Sequence, residues 1–171
     1  MGPVSAEIEI DLPRERVFAA LADLSLRPSF TDHFLTDFHL TRIDSVGVGA
    51  GARFRVDAPL RKVWMDTSVV SIEEPFRIVE EGRGGRGNRI RNHTVWELKE
   101  AGGCLTAVRV CHWTEPGPVD RVLELASAAS LWQGRGWRRA LGRLRAELES
   151  ERPAAGRIAV AGGNRYATGI P

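Results

Sequence analysis

Hydrophobic and polar positions alternate over Val4-Ser5-Ala6-Glu7-Ile8-Glu9-Ile10, which predicts a half-buried strand. Pro13 then opens a helical pattern in which Val17, Phe18, Leu21 and Leu24 share a face, predicting a helix over Pro13 to Asp23. Pro28 bars its simple continuation, so Arg27 to His33 is expected as a second short helix or a turn. From Thr36 the pattern changes to that of strands, with candidates at Phe38 to Ile43, Ala52 to Ala58, Lys62 to Ile72, Phe76 to Glu81, Arg89 to Lys99 and Leu105 to Thr114. Gly47, Gly49 and Gly51 mark one turn and Glu73-Glu74-Pro75 another. Gly82 to Asn88 reads as a flexible hairpin loop, and Ala101-Gly102-Gly103 joins the last two strands.

After Glu115-Pro116-Gly117-Pro118 one long amphipathic helix is expected, reaching Glu151. Val122, Ala126, Ala129, Gln133, Trp137, Leu141, Leu144 and Leu148 form its apolar stripe, with arginines on the other side and a bend expected near Gly134 and Gly136. Residues 153–171 are an Ala/Gly-rich tail, either disordered or docked through Ile158, Val160 and Tyr166. The running order predicts an α+β domain over residues 1–152: a curved antiparallel sheet of about seven strands, two short helices after the first, and a long C-terminal helix across the concave face. Such a sheet and helix enclose a cavity.

Period-two alternation names the inner face of each strand. Ala52, Phe54, Val56 and Ala58 point inward while Arg53, Arg55 and Asp57 point out. Ile90, Asn92, Thr94, Trp96 and Leu98 form the inner set of the next-to-last strand, and Thr106, Val108, Val110 and His112 that of the last. The segment Lys62 to Ile72 is mixed on both faces, and a bulge would switch its register.

Composition changes this picture little. At 171 residues, 43% hydrophobic and 27% charged, the chain has the make-up of one globular domain, and a net charge of +2 gives no electrostatic case for nucleic acid. Lys62 and Lys99 are the only lysines; the arginine bias suits phosphate recognition or, more simply, a GC-rich coding sequence. No apolar run reaches the roughly 20 residues of a membrane span, so stable membrane insertion is not expected. The first residues lack a signal-peptide pattern, and Cys104 and Cys111 cannot bridge within one strand, so a reducing, cytoplasmic setting is expected.

The segment from Ile8 through Pro13 and Val17-Phe18 to Asp23 resembles the opening of the helix-grip superfamily known collectively as SRPBCC. That superfamily includes START lipid-transfer domains, birch-pollen-allergen-like proteins and bacterial polyketide cyclase/dehydrase-like proteins. Glu73-Glu74-Pro75-Phe76-Arg77-Ile78 resembles its link between two central strands, and Phe30 or Phe34 matches its aromatic near the end of the second short helix. The resemblance covers residues 4 to 150 and implies a ligand cavity but no single activity.

The expected function is binding of a small hydrophobic molecule (a lipid, polyketide or similar), as a monomer or homodimer without a cofactor. Phe54, Val56, Asn92, Thr94, Trp96, Val108, Val110, His112, Ala126, Ser130, Gln133 and Trp137 are the expected ligand contacts. The alternative is a polyketide cyclase, aromatase or dehydratase working by acid–base chemistry. For it His112, Arg109, His33 and Asp32 are the candidates, His112 because imidazole titrates near neutral pH and Arg109 if the last strand is turned over. Against these stand a strand-end His112 satisfied by a carbonyl and a solvent-exposed Asp32-His33 turn. Among His33, His39, His93, His112 and the cysteines no metal-ligand spacing occurs, so no metal is expected. The arginines around Gly82 to Gly87 lack the order of a phosphate loop, and Trp64, Trp96, Trp132 and Trp137 are read as core.

Overall fold

The alternating N-terminus forms β1 (Val4–Asp11), and Pro13, which has no backbone N–H to leave unpaired, caps α1 (Arg14–Ala22). The computed structural model describes residues 3–59, 61–117, 129–150 and 159–160 of the chain. Asp23 ends α1 and accepts a hydrogen bond from the Ser25 backbone N–H at 2.9 Å, turning the chain through Leu24–Leu26 into α2 (Arg27–Thr31). Pro28 sits in the first turn of α2, where its missing donor costs nothing. Six strands follow: β2 (Leu35–Leu40), β3 (Gly51–Ala58), β4 (Arg61–Glu73), β5 (Arg77–Gly84), β6 (Ile90–Gly102) and β7 (Leu105–Glu115). The last helix, α3, is described from Ala129 to Glu149; its expected beginning, residues 118–128, lies outside the described residues.

β1 to β7 form an antiparallel sheet in the order β1-β7-β6-β5-β4-β3-β2, curled around α3. A two-residue strand β8 (Ala159–Val160) pairs in parallel with the β2 edge, opposite His39 and Leu40. Ile158 and Tyr166 lie outside the described residues. The core joins β1, β6 and β7 to both helical layers through Ile10, Val17, Leu21, Trp96, Leu98, Val108, Val110, Leu141 and Leu144.

Several expectations are corrected. β2 begins at Leu35 rather than Phe38, because an irregularity between Thr36 and His39, with Asp37 at φ 50°, resets the alternation. Asp tolerates that conformation better than most residues. Ile43 falls outside β2 and is 95% exposed. The mixed pattern of β4 resolves as a bulge between Val69 and Ser71: Met65, Thr67 and Val69 are buried, Val70 is exposed, and Ile72 then packs on the core.

Gly82 to Gly84 is strand rather than mobile loop. A Cβ on Gly82 would lie 1.8 Å from the Asp66 carbonyl oxygen, and one on Gly84 2.2 Å from Met65 Sδ, so only glycine lets β4 and β5 approach this closely. Asn92, opposite Gly82, reaches across it to donate to the Asp66 carbonyl at 3.0 Å. Trp64 is not core: it lies 40% exposed on the outer face, with the Arg53 and Arg55 guanidinium groups over its ring at 5.5 and 6.0 Å.

α3 runs as one unbroken helix through Gly134 and Gly136. Gly136 is there because the Phe34 ring approaches the helix; an added Cβ would meet it at 2.9 Å. Phe34 is wedged edge-on against Trp132 and Trp137 and has little room to yield. Gly142, on the same helix, has nothing within 4 Å of its virtual Cβ. Thermal melts are therefore expected to separate the two glycines. Gly142→Ala should gain up to ~1 kcal/mol of helix propensity. Gly136→Ala should lose about 1–3 kcal/mol to overpacking despite the same gain; equal effects would contradict the packing described.

Candidate functional site

A cavity lies between the concave face of the sheet and the N-terminal part of α3. Leu24 and Arg27 line it from the short helices, Phe34, Leu35 and Phe38 from the α2–β2 region, and Ala129, Gln133 and Trp137 from α3. The sheet contributes Phe54, Val56 and Ala58 (β3), Val63, Met65 and Thr67 (β4), Glu80 (β5), Ile90, Asn92 and Thr94 (β6), and His112 and Thr114 (β7). The space open to the centre of a water molecule is about 70 Å³, within a recess of about 930 Å³ counted out to open solvent. The smaller figure decides what fits without movement: at ~10–15 Å³ per water it holds several waters or a compact group.

Strand register gathers the polar side chains into a row. Glu80 lies directly opposite Thr94, and Thr94 opposite His112, so the three share one face on adjacent strands. Thr94 Oγ1 and His112 Nδ1 are 2.9 Å apart, and the His112 ring leans on Trp137 with centroids 5.6 Å apart. The imidazole is enclosed by protein but keeps an edge on the cavity. Burial lowers its pKa to about 4, with the His93 charge a lesser cause.

A buried ion pair lies at one end of the row. Arg27 Nη2 donates to Glu80 Oε1 at 2.7 Å and to the Leu21 carbonyl at 3.2 Å. Trp96 Nε1 donates to the same Glu80 oxygen at 2.9 Å, and the Arg27 guanidinium lies 4.6 Å from the Trp96 ring centroid. Both charged residues are almost wholly buried. Arg27 Nε, Thr67 Oγ1 and Gln133 Oε1 are buried, and none has a hydrogen-bond partner among the described residues.

The expected contacts divide. Phe54, Val56, Asn92, Thr94, His112, Gln133 and Trp137 line the cavity. Trp96, Val108 and Val110 do not: all three are fully buried in the closed core. Trp96 sits a layer behind the wall, holding Glu80 with its indole N–H. Ser130 is exposed, one residue off the buried Ala129 face, and Ala126 lies outside the described residues.

Three of the four proposed acid–base groups are also misplaced. Arg109 faces solvent, paired in register with Glu7 and Glu97 on the outer face, because the alternation of β7 sends His112 inward instead. Asp32 and His33 follow α2 on the side facing α3. Asp32 pairs with Arg143, while His33 Nε2–H donates to the Gly136 carbonyl at 3.1 Å, so they clasp helix to helix outside the cavity. His112 alone reaches the cavity, satisfied by the Thr94 side chain rather than by a carbonyl.

Arg27 and Glu80 were not anticipated. For Glu80 the signal existed: it shares parity with buried Ile78 on β5, which places a carboxylate inward and demands a partner. Arg27, ahead of a proline in a short helix, carries no periodic signal. Among the described residues no cluster of three or more His, Cys, Asp or Glu side chains is placed to hold a metal, and both cysteines are free.

A family model described as polyketide cyclase / dehydrase and lipid transport matches residues 1–149. Similar solved structures include a Deinococcus radiodurans protein, 23% identical, with 87% of this chain and 98% of that one covered at a TM-score of 0.60. A Thermus thermophilus protein is 20% identical, covering 86% and 97%, with a TM-score of 0.66. A START superfamily protein from Mycobacterium smegmatis is 16% identical, covering 86% and 97%, with a TM-score of 0.57. At these identities the likeness is one of fold. No curated protein matches the chain in sequence.

The position of His112 predicts a pH dependence. Its folded pKa of about 4 lies below the ordinary 6.5, so between those values the unfolded chain binds more protons and stability falls as pH drops. His33, also lowered by burial, acts in the same direction. NMR should show the His112 ring resonances constant from pH 8 to 5, and His112→Gln should make the acid limb of stability shallower. Titration of the His112 ring near 6.5 would contradict its enclosure.

Proposed function

The chain belongs to the polyketide cyclase/dehydrase and lipid transport family, and from that membership we propose that it binds a compact, largely apolar molecule in its cavity. The observation that carries the proposal is the make-up of the wall. Aromatic and aliphatic side chains supply most of it, while Thr67, Asn92, Thr94, His112 and Gln133 set a few polar groups among them to orient a ligand. Burying ~200 Å² of ring surface contributes about 5 kcal/mol at about 25 cal/mol per Å², before the cost of association. Useful affinity therefore also needs the polar contacts. The volume of about 70 Å³ favours a ring system over the paired acyl chains of a membrane lipid.

A second reading, acid–base catalysis of the cyclase or dehydratase kind, is favoured by the Thr94–His112 pair in the wall. Two observations weigh against it. An imidazole lowered to about 4 is a weak base at neutral pH, where a general base works best with a pKa near the working pH. Glu80 is already engaged by Arg27 and Trp96. Binding without chemistry is the reading these side chains support best.

The test uses 2-naphthol as a probe, an uncharged bicyclic phenol at pH 7, followed by calorimetry. Ala58→Trp places bulk in the cavity, and Val70→Trp adds the same bulk at an exposed position of β4. Ala58→Trp should weaken binding by about tenfold or more, equivalent to 1.4 kcal/mol, and Val70→Trp should leave it unchanged. Equal affinities for all three proteins would place the probe elsewhere and remove the support for this cavity.

A further inference from the structure

Among the described residues lining the cavity, Arg27 and Glu80 are the only charged ones at neutral pH, and they cancel. His112 stays uncharged there, and the remaining polar groups (Thr67, Asn92, Thr94, Thr114 and Gln133) are neutral. We infer that Glu80 is a specificity-determining residue: by pairing with Arg27 it makes the cavity select uncharged, hydroxyl- or carbonyl-bearing ligands and reject carboxylates. The inference rests on the cavity-binding reading and names the ligand class of the same site.

The geometry supplies the reason. A buried arginine is otherwise a ready anion receptor, since its guanidinium presents five N–H donors in a fork matched to a carboxylate. Here one arm of the fork is taken: Nη2 serves Glu80 and the Leu21 carbonyl, and the Trp96 ring lies under the guanidinium. The buried Nε–H remains without a partner among the described residues. A ligand carboxylate placed against this end of the cavity would come close to the Glu80 carboxylate in a low-dielectric site, where like charges repel strongly and the ligand's own desolvation is uncompensated. An uncharged carbonyl or phenol ligand meets neither cost. Trp96 Nε1 fixes the Glu80 oxygen it shares with Arg27, so the carboxylate is held in place to exclude an anion.

The experiment compares 2-naphthol with 2-naphthoate, rings of the same size that differ in charge, at pH 7.5 on wild type and Glu80→Gln. Wild type should bind 2-naphthol about tenfold or more tightly than 2-naphthoate. Glu80→Gln keeps an oxygen for the Trp96 and Arg27 donors but removes the charge; it should bind 2-naphthoate about tenfold or more tightly than wild type does and reverse the order of the two probes. The wild-type order needs no variant, so misfolding of Glu80→Gln would not shield the inference: wild type preferring 2-naphthoate overturns it. An unchanged order in a folded Glu80→Gln also overturns it. Binding of 2-naphthoate by Glu80→Gln but of neither probe by wild type would support the role of Glu80 while overturning the cavity-binding reading of the native protein. Binding of neither probe to either protein overturns both.

Discussion

The buried Arg27–Glu80 pair is the constraint around which the site is arranged. Two opposite charges removed from water attract strongly, but they are tolerated inside a fold only when geometry and further hydrogen bonds offset their lost hydration. The structure meets that demand with the Trp96 indole N–H, the Leu21 carbonyl and the Trp96 ring face. Meeting it ties three separate parts of the chain together: the short helix α2, the middle of β5 and the middle of β6. The same tie separates a closed core from an open cavity. On one side Trp96, Val110, Val108 and Leu98 are packed to zero or near-zero exposure; on the other Thr94, His112 and Asn92 face free space.

Packing of the helical layer complements this polar anchor. Phe34 enters the gap that Gly136 leaves in α3 and meets Trp132 and Trp137 edge-on, while Trp137 meets Trp96 in the same manner at 5.5 Å. Arg143 and His33 clasp the end of α2 to α3 outside the cavity. The container is thus held by aromatic edges at its centre and by polar clasps at its rim. Within it, hydrogen-bonding groups stand on several elements around an apolar interior.

Much of this was legible in the residues. The alternation of β3, β6 and β7 assigned their inward sides correctly, because the apolar set of each strand gathers mainly on one face and a one-residue slip would expose it. The stripe on α3 from Ala129 through Gln133 and Trp137 to Leu144 was legible for the same reason. Where the reading failed, a local event broke the period: the irregularity at Asp37 moved β2, and the bulge after Val69 reset β4. Gly82 and Gly84 were misread because a glycine run looks alike whether it frees a loop or lets two strands touch. The site proved harder than the fold. His112 was found through strand parity, whereas Arg27 depends on how α2 folds back over the sheet, a tertiary fact with no periodic trace.

Entry of a small molecule into the concave cavity beside the Arg27–Glu80 pair is tested by an NMR titration with 2-naphthol that follows the arginine Nε–H and tryptophan indole N–H resonances together. The Arg27 Nε–H and the Trp137 indole, on residues that line the cavity, should move, with Trp64 and Trp113 on the outer face unmoved. Shifts confined to Trp64 and Trp113, with Arg27 and Trp137 still, would contradict it.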